Sequence, residues 1–140
     1  MKRLSLGLVA SLLVLGVTTA SAQRKDTDTA VLVLNPPAGA RLAEGGLWPL
    51  LGDTVTFSAT YPKQLEQKGV RVQVLCYQNG EMVFAISRAW NVEFVLGGGW
   101  SPWRDAGGAA TCNADLYYWS YNGGQKFNFL ANTQFEVGAR

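Results

Sequence analysis

The chain reads as an all-β protein, a single antiparallel β-sandwich of about seven strands. Three observations predict it. Apolar and polar residues alternate with period two through one short segment after another, as half-buried strands require. Turn-forming runs separate those segments: Asn79-Gly80, Gly97-Gly98-Gly99 and Asn122-Gly123-Gly124. Beyond residue 22 no stretch carries the three-to-four-residue apolar period of a helix.

The first residues have a different character. Lys2 and Arg3 precede an apolar run from Leu4 to Val17, followed by the small residues Thr18, Thr19, Ala20, Ser21 and Ala22. This is the pattern of a cleaved export signal, with Ala20-Ser21-Ala22 as the cleavage site and Gln23 as the first mature residue. The competing expectation, a membrane anchor, needs about 20 apolar residues, more than this run supplies. No cysteine near the cut offers a site for lipid attachment, and no later apolar stretch is long enough to span a membrane. Lys2 and Arg3 are two of twelve basic residues, against ten acidic ones. The exported remainder is therefore electrically balanced and has no basic patch, which argues against nucleic acid as a partner.

Residues 23–29 are polar and charged and read as a flexible leader to a domain over 30–140. In the first strand Val31 and Val33 alternate with Leu32 and Leu34, leaving no polar face, and Asn35-Pro36-Pro37 ends it. Residues 38–52, rich in Gly, Ala and Pro, form a long connection. Thr54 to Tyr61 is the clearest strand, with Val55, Phe57, Ala59 and Tyr61 on one face and Thr54, Thr56, Ser58 and Thr60 on the other. Pro62 stops it, and Lys63 to Lys68 is a charged loop or one helical turn. Val70, Val72, Val74 and Cys76 share the next face. Asn79-Gly80 then closes a hairpin, because a type I′ turn needs positive φ at both central residues. The return strand, about 81–87, puts Met82, Phe84 and Ile86 on one face. Trp90, Val92, Phe94 and Leu96 form another alternating face. A Gly-rich loop over 97–108 carries Trp100, Trp103 and Arg104. Ala110, Cys112, Ala114, Leu116 and Tyr118 then alternate with Thr111, Asn113, Asp115, Tyr117 and Trp119. After the loop from Ser120 to Lys126, the last strand is expected to place Phe127, Phe129, Ala131, Phe135 and Val137 on one face.

Cys76 and Cys112 are the two cysteines. In an exported protein such a pair reads as one disulfide, the alternative being two buried free thiols. Both fall on apolar strand faces, and neighbouring strands could bring them within bridging reach.

Several of these segments resemble immunoglobulin domains. Val74-Leu75-Cys76-Tyr77-Gln78-Asn79-Gly80-Glu81 is similar to the family's third strand and the hairpin after it. Gly52-Asp53-Thr54-Val55-Thr56-Phe57 is similar to the entry to the second strand. Gly108-x-Ala110-x-Cys112-x-Ala114 is similar to the sixth strand, which carries the second family cysteine. The matches cover most of residues 50–137 in the family's order. The chain departs from the pattern in having Ser58 and Ala59 where the family has its first cysteine, Cys76 where the family has its buried Trp, and Ala110 in place of the corner tyrosine. The resemblance, nearest to small secreted domains of bacteria or phages, implies an immunoglobulin-like sandwich. Its disulfide would join the third and sixth strands inside one sheet, where the family's joins two sheets.

The chemistry the chain lacks narrows its function. It has no histidine, which removes Ser-His-Asp and Cys-His catalysis and ordinary zinc sites. Asp105 and Asp115 are the nearest acidic pair in this region, and nothing in the flanking sequence would drive their pKa values apart. No loop resembles a calcium site, and the Gly97–Gly99 run opens no phosphate-binding helix. A non-enzymatic protein without a cofactor or metal is expected.

The aromatic residues remain. Tyr117, Trp119 and Tyr121 are expected near the sandwich end that carries the 62–69 and 120–126 loops, and they are the first candidates for a binding surface. The bland alternative is that Tyr117 and Trp119 pack on a neighbouring strand. Trp100, Trp103 and Arg104 at the opposite end are the second candidates, with Arg104 stacked on a Trp. The alternative there is a Trp that plugs the core. The expected function is a secreted binding or adhesion module recognising a protein or a glycan. A self-associating structural subunit of a surface layer, fibre or virion is the alternative, motivated by the apolar Val31–Leu34 edge. A protease inhibitor is the third reading.

Overall fold

A computed structural model describes residues 30–36, 48–98, 101–104 and 107–139. The expected signal over 1–22, the leader over 23–29 and Trp100 lie outside the described residues, as do most of the connection after the first strand and Asp105. The described chain is all-β. Its strands are β1 (Val31–Asn35), β2 (Thr54–Thr60), β3 (Arg71–Gln78), β4 (Glu81–Ala89), β5 (Phe94–Val95), β6 (Ala110–Ser120) and β7 (Lys126–Val137), with one 3-10 helix at Lys63–Lys68. They form two antiparallel sheets, one ordered β1-β2-β5 and the other β4-β3-β6-β7. Among the described residues no helix is long and apolar enough to cross a membrane.

The alternation in the sequence is the alternation in space. Val55 and Phe57 of β2, Val72, Val74 and Cys76 of β3, and Ala110, Cys112, Ala114 and Leu116 of β6 point between the sheets and are buried. Burying each Val, Leu or Phe contributes roughly 1.5–3 kcal/mol. Phe57 links the layers, edge-on to Phe94 with 5.3 Å between ring centroids and 6.3 Å from Phe135 of the opposite sheet. Cys76 and Cys112 face each other across β3 and β6 and are joined by a disulfide within one sheet, in the middle of this core. Asn79 and Gly80 both have positive φ, 50° and 80°, as the hairpin between β3 and β4 requires.

Three expectations about strand faces are corrected. In β4, Cys76 pairs with Phe84 but Tyr77 pairs with Met82, so Val83 is an extra residue in a β-bulge. Val83 and Phe84 are both buried and Met82 is turned out, where strict alternation put Met82 beside Phe84 and Ile86. In β7, Leu116 pairs with Ala131 but Tyr117 pairs with Phe129, which leaves Leu130 as the extra residue. Leu130 is buried, and Phe127 and Phe129 lie on the solvent side, about two-fifths exposed. They do not share the inner face of Phe135 and Val137. The segment from Trp90 to Leu96 contributes only the two residues of β5, because β4 continues on β3 as far as Ala89 and β2 offers a partner only to Phe94 and Val95.

Candidate functional site

The sandwich end that carries the 3-10 helix and the β6–β7 turn gathers the aromatic candidates. Three rings on the outer face of the four-stranded sheet touch one another. Tyr117 stacks on Phe127 at 4.6 Å with 23° between planes. Trp119 stands edge-on to both, 6.0 Å from Tyr117 and 5.4 Å from Phe127. The β7 bulge makes the cluster possible, since without it Phe127 would project inward.

Tyr117 anchors the group. It is 3% exposed although its strand position faces outward. Its hydroxyl is hydrogen-bonded to the Ser87 hydroxyl, which lies two strands away on β4. The Ser87 hydroxyl also accepts from Arg71 Nε at 3.3 Å, and Arg71 Nη2 donates to the Ser87 carbonyl at 3.0 Å. The guanidinium and two hydroxyls thus lock β3, β4 and β6 beneath the rings. Trp119 is half-buried, Phe127 and Phe129 are exposed, and Tyr121 in the turn is 70% exposed. No ring contact joins Tyr121 to the cluster.

Next to the rings runs a polar row. Ser87, Gln73, Asp115 and Asn132 are register partners across β4, β3, β6 and β7, all on the outer face. The side chains of Gln73, Asp115 and Asn132 make no hydrogen bond within the described protein, so their polar atoms are open to a ligand or to solvent. Partial burial raises the Asp115 pKa from its ordinary value.

Of the second set of candidates, Trp103 and Arg104 are engaged by the fold itself. Trp103 is 4% exposed and packs against Phe84 at 6.0 Å between centroids, so it closes the far end of the core. Arg104 is exposed, but its Nη1 donates to the Ser101 and Trp103 carbonyls. It holds the loop, and no stacking of Arg104 on a ring occurs among the described residues. The loop is fastened further by Gln78, a buried polar residue at the end of β3, whose Nε2 donates to the Arg104 and Gly108 carbonyls, both at 2.8 Å.

Of the sequence candidates, Tyr117 and Trp119 come together, Tyr121 stands apart at the tip, and Trp103 and Arg104 form a structural plug. Phe127, Gln73 and Asn132 are additions that sequence reasoning missed. The signal for Phe127 was present: Phe129-Leu130-Ala131 is an apolar run that breaks alternation, which a bulge resolves. Among the described residues no three His, Cys, Asp or Glu side chains gather as a metal site would require. Compared with protein-family models, with curated proteins and with solved structures, the chain matched nothing.

Proposed function

We propose that the chain is an exported, non-enzymatic recognition module of immunoglobulin-like type, which binds an extracellular partner on the outer face of β6 and β7 around Trp119 and Phe127. The observation that carries this reading is the trio of mutually contacting rings, partly exposed on a rigid sheet and anchored from below by the Tyr117–Ser87–Arg71 bonds. Aromatic side chains with few rotatable bonds give contact area at low entropy cost, and a surface already locked in place loses little more on binding. The immunoglobulin-like reading is supported by the strand order, in which β3 and β6 are central neighbours in one sheet and β2 is central in the other. Export is supported by the signal-like first 22 residues and by the disulfide.

The test is site-specific photo-crosslinking in the organism that makes the protein. A benzophenone amino acid at position 129 is expected to give adducts, and the same group at Thr60, on the other sheet, is expected to give few. Equal labelling at both positions, or none at 129, would refute the reading.

One observation favours the structural-subunit reading as a second. Val31 and Val33 are about half exposed on β1, at the edge of the three-stranded sheet. Among the described residues β1 pairs only with β2, and a sheet edge of this kind templates strand addition between copies. Light scattering at two concentrations decides it: a monomer at both eliminates this reading, and a defined oligomer supports it.

A further inference from the structure

We infer that the ring cluster and the adjoining polar row together form a binding site for a neutral glycan, with Trp119 and Phe127 supplying the stacking surface and Gln73, Asp115 and Asn132 the hydroxyl partners. The inference rests on the recognition surface proposed above and names its ligand class.

A pyranose has an apolar face of C–H groups and a rim of hydroxyls, each both donor and acceptor. Its receptor therefore needs a flat apolar surface beside polar groups that are not already satisfied. Trp119 supplies an indole plane, half-buried at the surface, and Phe127 stands edge-on beside it with 76° between the two rings. Gln73 and Asn132 flank Asp115 on the adjacent strands, in the same row. A carboxylate accepts from two sugar hydroxyls at once, and an amide both gives and accepts. Neighbouring strands stand about 4.8 Å apart, so the row from Ser87 to Asn132 spans about 14 Å, the scale of a short oligosaccharide.

Charge complementarity selects the class. On this face of β3 and β6 the only cation is Arg71, and its guanidinium is already bound to Ser87. Asp115 has no ion-pair partner among the described residues. Along the polar row an acidic glycan or other polyanion would meet the unpaired Asp115 carboxylate, while the cations at this end, Arg71 paired with Tyr117 and Lys126 at the start of β7, lie off the row. An apolar protein surface would bury Gln73, Asp115 and Asn132 without partners, which is costly. A neutral polyhydroxyl ligand satisfies all three and covers the rings.

The test is native affinity electrophoresis of the protein produced from the full chain in an oxidising compartment. The gels contain mannan, galactan, β-glucan or xylan as neutral probes, and alginate or heparin as acidic ones. At least one neutral polysaccharide is expected to retard the protein. Trp119→Ala and Gln73→Ala are each expected to weaken that retardation at least tenfold, and Val33→Ser on the other sheet is expected to change it less than twofold. Gln73→Ala removes no buried group, so it keeps the test valid if Trp119→Ala disturbs the fold. Retardation by the acidic probes alone, by none, or equally in wild type and both site variants overturns the inference. The crosslinking at position 129 separates the two failures. Protease-sensitive protein adducts there, with no retardation in neutral gels, sink the glycan and leave the recognition surface standing. Loss of both sinks both.

Discussion

The Tyr117 hydroxyl reaches past β3 to bond the Ser87 hydroxyl on β4, so one side chain of the ring cluster spans three strands. Tyr117 is 3% exposed, its ring covered by Phe127 and Trp119 and its hydroxyl held by this bond. The bond turns a surface aromatic into a fixed pillar under Phe127.

Tyr117→Phe keeps the ring stack and removes that bond. Stability is expected to fall by about 0.5–1.5 kcal/mol, the usual net value of one hydrogen bond. Urea denaturation measures it. Because Arg71 bonds the same serine, Arg71→Ala combined with Tyr117→Phe is expected to cost less than the two singles added together.

Gly107→Ala tests the loop plug. A Cβ at Gly107 would lie 2.7–2.9 Å from the amide atoms of Gln78. That amide is the end of a side chain, but it cannot swing away without abandoning the Arg104 and Gly108 carbonyls it holds. A loss of about 1–3 kcal/mol is expected. In a Gln78→Ala background the same substitution is expected to be almost neutral, and chemical denaturation of the four proteins completes the cycle.

Asp115 predicts a pH dependence. Burial raises its pKa in the folded state, so the folded protein holds this proton more tightly than the unfolded chain. The ionised carboxylate therefore weighs against folding above its folded pKa, and the penalty disappears as pH falls below the unfolded value. Asp115→Asn is expected to be at least as stable as wild type at neutral pH. The difference between the two is expected to shrink on acidification through the carboxylate range. Thermal melts of both proteins from pH 7 to pH 3 check the sign.

The disulfide closes a sequence separation of 36 residues, and both cysteines are fully buried. Replacing both with Ala is expected to cost about 3–4 kcal/mol in the chain-entropy account. In the native protein, mild reductant is expected to leave the bond intact until the core opens, as mass spectrometry after alkylation would show.

Much of this fold is legible in the sequence. Val55 and Phe57, Val72 and Val74, and Ala110 through Leu116 declare their inner faces by alternation alone, and Asn79-Gly80 declares its hairpin. What alternation cannot reveal is where it skips. The bulges at Val83 and Leu130 each invert the facing of the residues beyond them. One moved Met82 outward and the other moved Phe127 and Phe129, so the ring cluster was only partly visible beforehand. The polar row was less visible still, because Gln73, Asp115 and Asn132 are adjacent only through register, which depends on pairings far apart in the chain. Trp103 was ambiguous for another reason: a Trp in a Gly-rich loop looks the same in sequence whether it covers a core or a ligand.

The single unpaired residue at Leu130 has a consequence for how this protein can change over generations. It uncouples the tip of β7 from the rest of the strand, so the identities at 127 and 129 answer to the outside while those at 135 and 137 answer to the core. Of the two tip residues, Phe129 has no ring contact in the cluster and can vary with a changing partner, whereas Phe127 also packs on Tyr117. Deletion of the extra residue at Leu130 would turn Phe127 and Phe129 inward, leave 135 and 137 in place, and lose the tip surface in one step. The lineage is therefore free to vary the letter at 129 but not the number of letters around it.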